Sequence, residues 1–262
     1  FYSLHVIDLY SHRIFIHPQR RKDDAAVAQG LIRCWKTMGI PDFLQLDNEL
    51  CFRGSNRHPR SFGIVLRLWL SFRIEAVFIP IGEPWWNGTV ESFNDTYNRR
   101  FFRTQWFRSY RYLCSQSKNF ELFHNKNHRY SCLKGKTPFQ KIQEEEFIPI
   151  LPPPKFQLPD LDYIPDGTIS LIRFIRSDRR LDVFGERFLV PPETEYAYVV
   201  ATVDVARQRL TVHLDGATAG TRLAIQYETV RLNEPVEAGL FEIPRPADET
   251  TRILDLGAGP LP

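Results

Sequence analysis

The chain opens on alternation. Tyr2 to Leu9 reads Y-S-L-H-V-I-D-L, rich in β-formers, and after Tyr10-Ser11-His12 the run Arg13 to His17 reads as its partner strand, so a hairpin is predicted. Asp23 and Asp24 precede a stretch from Ala25 to Met38 with apolar residues at helical spacing, ended by Gly39 and Pro41, which predicts a helix with signals at both ends. Phe43 to Leu46 predicts a short strand that stops at Asp47-Asn48, Ser61 to Phe72 a helix, and Glu75 to Pro80 another strand. After the turn-forming Glu83-Pro84-Trp85-Trp86-Asn87-Gly88, the run from Thr89 to about Asn127 is helical and is expected to form two helices. Strands alternating with helices make this an α/β domain.

The pattern changes at Glu144. Three glutamates are followed by prolines at 149, 152, 153, 154, 159 and 165, the composition of an extended linker. Beyond Gly167, short β-rich runs separated by turns (Thr168 to Ile175, Leu181 to Val190, Tyr196 to Val203, Leu210 to Leu214, Arg222 to Ile225) predict a small all-β barrel. The expected organisation is an α/β domain over 1–143, a linker over 144–166, a barrel over 167–230 and a loose tail over 231–262.

No stretch is apolar for long enough to span a bilayer, and Phe1 to Ile16 is interrupted by His5, Asp8, His12 and Arg13, which argues against a signal peptide. A cytoplasmic protein with no membrane partner is expected. The four cysteines form no C-x-x-C pair, so buried thiols are the plain reading, with Cys114, His124, His128 and Cys132 as a minor metal-site alternative.

The net charge of +3 hides an asymmetry: residues 1–136 hold 21 Lys and Arg against 11 Asp and Glu, and the remainder hold 13 against 20. Arg53 to Arg73 carries five arginines and no acid, and Ser92 to Lys136 carries ten basic residues against two acidic ones. Arginines interleaved with aromatic residues suit a phosphate backbone and its bases; a solvated helix face is the plain alternative.

Two acids stand out by position. Asp47 ends a strand, where an α/β sheet presents side chains at its carboxyl edge, and Glu91 falls in the first turns of a helix, pointing back toward that edge. Hard carboxylate oxygens suit Mg²⁺ or Mn²⁺, and metal held this way can serve in-line displacement at phosphorus. Taken singly, each acid has an ordinary role, Asp47 capping a turn and Glu91 complementing a helix dipole.

The segments V-I-D-L-Y-S-H-R (6 to 13), L-Q-L-D-N (44 to 48) and P-W-W-N-G-T-V-E-S-F-N (84 to 94) resemble successive motifs of the integrase core in DDE transposases of bacterial insertion sequences. The likeness continues through Arg99-Arg100-Phe101-Phe102, F-H-N-K-N-H-R-Y (123 to 130) and K-T-P-F (136 to 139), and covers roughly residues 1 to 143. The resemblance implies an RNase H-like mixed sheet with flanking helices. Asp47 and Glu91 would be its second and third metal-binding carboxylates, with Mg²⁺ or Mn²⁺ as cofactor and cleavage and strand transfer of DNA as the activity. It further implies that element ends and target DNA are the partners, that the whole protein is a homo-oligomer, and that the chain is nucleoid-associated when bound. An inactive remnant that binds DNA or a partner subunit is the alternative.

In that family the first carboxylate lies on a strand preceding the V-I-D hairpin strand, so the first catalytic aspartate and a central strand are expected to be missing here. Asp8 is a weak substitute, and its expected role is to order the hairpin turn. Glu49 stands where the family commonly has glycine after D-N. The 44 positions separating Asp47 from Glu91 are lengthened by the basic stretch Cys51 to Ser61, read as a loop near the site. Its Arg53, Arg57 and Arg60, with Asn87, Arg99, Arg100, Arg103 and Arg108, are the expected DNA contacts.

Overall fold

A computed structural model describes residues 1–53, 62–146, 148–156, 158, 164–214 and the backbone of 224–227. The chain divides into two compact units, one of Phe1–Ile40 and Asn87–Gln157, the other of Pro41–Trp86 and Leu158–Pro262.

The first unit is built on the predicted hairpin. Strands β1 (Tyr2–Ile7) and β2 (Ile14–Gln19) pair antiparallel, with Ile7 opposite Ile14. Asp8 orders the turn: its carboxylate accepts the Tyr10 N–H at 3.2 Å, the Ser11 N–H at 3.1 Å and the Ser11 hydroxyl, while His12 takes a positive φ of 55°. Helix α1 (Asp24–Met38) follows, its first turn capped by the Asp23 side chain on Ala26 N–H. It ends at Gly39, whose φ of +95° and close approach to Pro149 leave no room for a Cβ. The start of the proline-rich stretch therefore packs on this unit, and Ile150 accepts the Ile40 N–H at 2.8 Å.

Helices α4 (Gly88–Tyr97) and α5 (Tyr110–Asn127) cover the hairpin, joined through a π-helical turn at Asn98–Phe102. Ile14, Ile16, Phe93, Tyr97, Phe101 and Leu113 form the core, with Ile7, Phe107 and Phe120 packed against it. Polar residues of α5 close the outer edge of β2. The Asn125 amide donates to Ile14 C=O and accepts from Ile14 N–H, both at 2.9 Å. The Glu121 carboxylate accepts the Ile16 N–H at 2.9 Å, and the Tyr110 hydroxyl donates to Pro18 C=O at 2.7 Å. Pro18 itself has no N–H to satisfy. Helix α6 (Pro138–Glu144) begins with a capping box between Thr137 and Gln140, which gives K-T-P-F a local reason: N-cap, proline at the first position, then an apolar residue.

The second unit holds a six-stranded mixed sheet in the order β10-β9-β8-β5-β4-β3. Strands β3 (Phe43–Leu46), β4 (Glu75–Phe78) and β5 (Thr168–Phe174) run parallel; β8 (Tyr198–Asp204), β9 (Arg209–Leu214) and β10 (Ala224–Tyr227) continue antiparallel. Helix α2 (Leu50–Arg53) is a single turn after β3, and α3 (Ile64–Ser71) supplies the buried Val65, Leu66, Leu68, Trp69 and Leu70. Strands β6 (Arg180–Val183) and β7 (Glu186–Leu189) form a separate hairpin.

The α/β class and the mixed sheet agree with expectation, but among the described residues no closed barrel is found. Closure needs the first and last strands of the set to pair. Here β5 is bonded to β4 on one side and β8 on the other, which leaves it no edge to offer β10. The expected tail over 231–262 lies outside the described residues.

Asn125→Ala removes a 1% exposed amide that satisfies two backbone groups of Ile14. The expected loss is about 3 kcal/mol in urea unfolding, since each orphaned buried group costs roughly 1–3 kcal/mol.

Candidate functional site

Asp47 follows β3 directly and is half-buried, with one carboxylate oxygen accepting the Glu49 N–H at 3.2 Å. Its neighbour Asn48 fixes this strand end. The Asn48 amide donates to Ile79 C=O at 2.7 Å, and its oxygen accepts from the Arg173 guanidinium at 3.0 Å. Arg173, on β5 and 6% exposed, also donates to the carbonyls of Ile79, Ile172 and Asp182. One buried guanidinium thus ties together the ends of β3, β4 and β5. Arginine does this well because it offers five donors in a rigid fork.

The turn before α4 is held in the same unit. Glu83 accepts from the Trp86 indole at 3.0 Å and the Tyr198 hydroxyl at 2.7 Å, Gln45 donates to Trp86 C=O at 2.9 Å, and the Trp86 and Tyr198 rings lie 5.5 Å apart.

Glu91 belongs to the other unit, in the first turn of α4. The inner face of the helix is fixed by Phe93 and Tyr97, which are buried, and by Asn94, whose Oδ1 lies 2.6 Å from the His5 ring nitrogen. At about 100° per residue this leaves Glu91 and Asp95 on the outward face, where both are exposed. Glu91 has no hydrogen-bond or ion-pair partner among the described residues. Asn87 precedes α4 at the cap position, and its side chain makes no capping bond.

Downstream, Arg99, Arg100, Arg103 and Arg108 are all exposed on the π-helical turn and the bend after it. Arg99 pairs with Asp95 one turn earlier, and the Arg108 guanidinium lies 5.6 Å from the Tyr112 ring centre. Arg57 and Arg60 lie outside the described residues, and only the backbone of Arg53, in α2, is described. Among the described residues, no group of three or more His, Cys, Asp or Glu side chains is arranged to hold a metal, which removes the Cys114/His124/His128/Cys132 alternative. No helix among them is long and apolar enough to cross a membrane.

Sequence reasoning offered His124 and His128 only as part of a minor metal-site alternative, whereas in the first unit they belong to a histidine-rich core. His124 is buried beside Tyr130, with ring nitrogen and hydroxyl 2.8 Å apart, and stacks on His128 at 4.4 Å. Burial first, then His128 and Arg100, lower its pKa to about 4, and burial lowers His5, His12, His17 and His128 in the same direction. F-H-N-K-N-H-R-Y is therefore a packing motif in this chain, with neutral imidazoles. The four-residue step between His124 and His128 was the available signal.

Residues 72–138 match the Integrase core domain family. Over that segment the chain is of the integrase-core kind, part of the catalytic core of DDE transposases and integrases. The matched segment of this core takes in β4, the Pro84–Asn87 turn, α4 with Glu91, and α5; Asp47 lies upstream of it. No curated protein matches the chain. An integrase core implies DNA binding and a transposition-type function, and Mg²⁺ is the usual ion of the family.

Two outcomes follow from these arrangements. Asn48→Ala is expected to cost about 2 kcal/mol in thermal or urea unfolding, because the Ile79 carbonyl and Arg173 both lose a partner. Separately, neutral buried histidines add stability that is full above the unfolded value of about 6.5 and is lost as pH falls toward 4. His124→Gln is therefore expected to lessen the drop in stability between pH 6.5 and 4.5 by about 1 kcal/mol or more.

Proposed function

We propose that this chain takes part in metal-dependent cleavage and transfer of DNA strands, with Asp47 and Glu91 as metal-binding carboxylates and Arg99, Arg100, Arg103 and Arg108 on the DNA backbone. The observation that carries the reading is the integrase-core match over 72–138, which contains Glu91 in its turn-and-helix setting. Arg53, Arg57, Arg60 and Asn87 are assigned to the same DNA surface by sequence position. The working protein is read as a homo-oligomer, with its functional boundary in the proline-rich segment 144–166.

Two carboxylates suit the ion in kind, since Mg²⁺ is commonly held by one or two of them and fills its remaining positions with water and substrate phosphate. Bound there, the ion would lower the pKa of an attacking hydroxyl and offset charge on the leaving oxygen. The chain's own residues do the rest. Asn48 and Arg173 hold the strand end that presents Asp47, and Phe93, Asn94 and Tyr97 anchor α4 so that Glu91 faces outward. The arginines neutralise the polyanion that carries the scissile phosphate.

Nicking of supercoiled plasmid in Mn²⁺ tests this. Divalent-dependent nicking is expected where the family's first carboxylate is supplied alongside Asp47 and Glu91, reduced about a hundredfold or more by Asp47→Asn or Glu91→Gln, as befits loss of a ligand to the ion that activates the nucleophile. Nicking that survives Asp47→Asn overturns the assignment. A second reading, DNA binding without cutting, is favoured by the exposed arginine run alone. It is the outcome if affinity falls with a log–log salt slope of about −3 to −4, flattened by roughly 2 in Arg99→Ala/Arg103→Ala, and no strand is cut.

A further inference from the structure

We infer that Trp106 is a stacking platform for an unpaired base of DNA, held in place by the arginines around it; this rests on the DNA-binding reading above. Trp106 is 86% exposed, an unusual position for an indole. It sits on the segment joining the π-helical turn to α5, and that segment is held on both sides of it. Upstream, the Thr104 hydroxyl donates to Phe101 C=O at 2.9 Å. Downstream, the Phe107 ring packs 5.4 Å from Phe101 and 5.5 Å from Phe102. Phe107 is drawn into the aromatic core while Trp106 faces solvent, so the indole is presented from an anchored turn.

The charge around it selects the partner. From Thr96 to Phe120 the chain has six basic residues (Arg99, Arg100, Arg103, Arg108, Arg111, Lys118) and no acid. An apolar protein surface would have to desolvate these cations, whereas a nucleic acid offers phosphates for the arginines and a flat base for the indole. Bases within a duplex already stack on their neighbours, so a free indole face fits a base that has left the stack, as at an overhang or a distorted end.

The test compares two labelled DNAs by fluorescence anisotropy with the full chain: a duplex closed at both ends by hairpin loops bridged with a non-nucleotide linker, and the same duplex opened at one end to a short 3′ overhang. Trp106→Ala is expected to weaken overhang binding about tenfold while changing closed-duplex binding less than twofold, and Trp106→Phe to retain most of the affinity. A 2-aminopurine in the overhang should be quenched by the wild-type chain and not by Trp106→Ala, with circular dichroism showing that the variant is folded. Equal loss on both DNAs, no loss on either, or a change in oligomeric state alone overturns the inference. Arg103→Ala/Arg108→Ala separates it from the reading beneath it. If that variant weakens both DNAs while Trp106→Ala weakens neither, the DNA reading stands and the inference falls; if the wild-type chain shows no salt-dependent DNA binding, both fall.

Discussion

A buried strand must pair its backbone N–H and C=O groups, and in the first unit side chains meet that demand where no strand does. The outer edge of β2 would ordinarily need another strand. Asn125, Glu121 and Tyr110 take that place from α5, the Asn125 amide imitating a peptide group with one donor and one acceptor at 2.9 Å. The helix is thereby locked to the hairpin by geometry as well as by burial. Its position in turn sets the aromatic core beneath α4, and that core decides which way α4 faces.

The acids proposed to bind metal are leftovers of this accounting. On α4, Phe93, Asn94 and Tyr97 are committed to the hairpin, so Glu91 and Asp95 remain outside. In the second unit, the strand ends converge on Arg173, and Asn48 is spent satisfying it and the Ile79 carbonyl. Asp47 is the next residue back, on a backbone that its neighbour has made rigid. In both places a pair of adjacent or nearby polar residues divides the labour, one fixing the scaffold and the other presenting a carboxylate.

Much of this was legible from periodicity and punctuation. The hairpin, α1 between Asp23 and Gly39, and the strands at Phe43, Glu75 and Thr168 follow patterns that local physics imposes. What escaped was non-local. Nothing near Thr168 says that β5 will pair with β4, some ninety residues earlier, and a set of short β-runs read by itself looks like a barrel. The strand-capping role of α5 escaped because Glu121, His124 and Asn125 look solvated until a strand edge is placed against them. Arg173 was hidden in a β-rich run for the same reason. Asp47 and Glu91 were chosen from strand-end and helix-start positions and from resemblance; the division of labour with Asn48 and Asn94 could come only from coordinates.

Electrostatics sets the terms on which such a surface can meet DNA. Glu91 and Asp95 face outward one turn apart and repel each other and any phosphate that approaches. Arg99 offsets Asp95 directly, which leaves Glu91 as the acid on that face with no ion-pair partner among the described residues. Both members of the Arg99–Asp95 pair are well exposed, so the pair itself contributes little to stability. Its effect is on the field: it cancels the acid that has no assigned chemistry and spares the one that does. A polyanion drawn in by Arg100, Arg103 and Arg108 would then meet one uncompensated carboxylate, a repulsion that a divalent cation relieves. The same arrangement without the cation would weaken DNA binding, so Glu91 on a helix followed by this arginine run makes better physical sense as part of a metal-dependent surface than of a plain DNA-binding one.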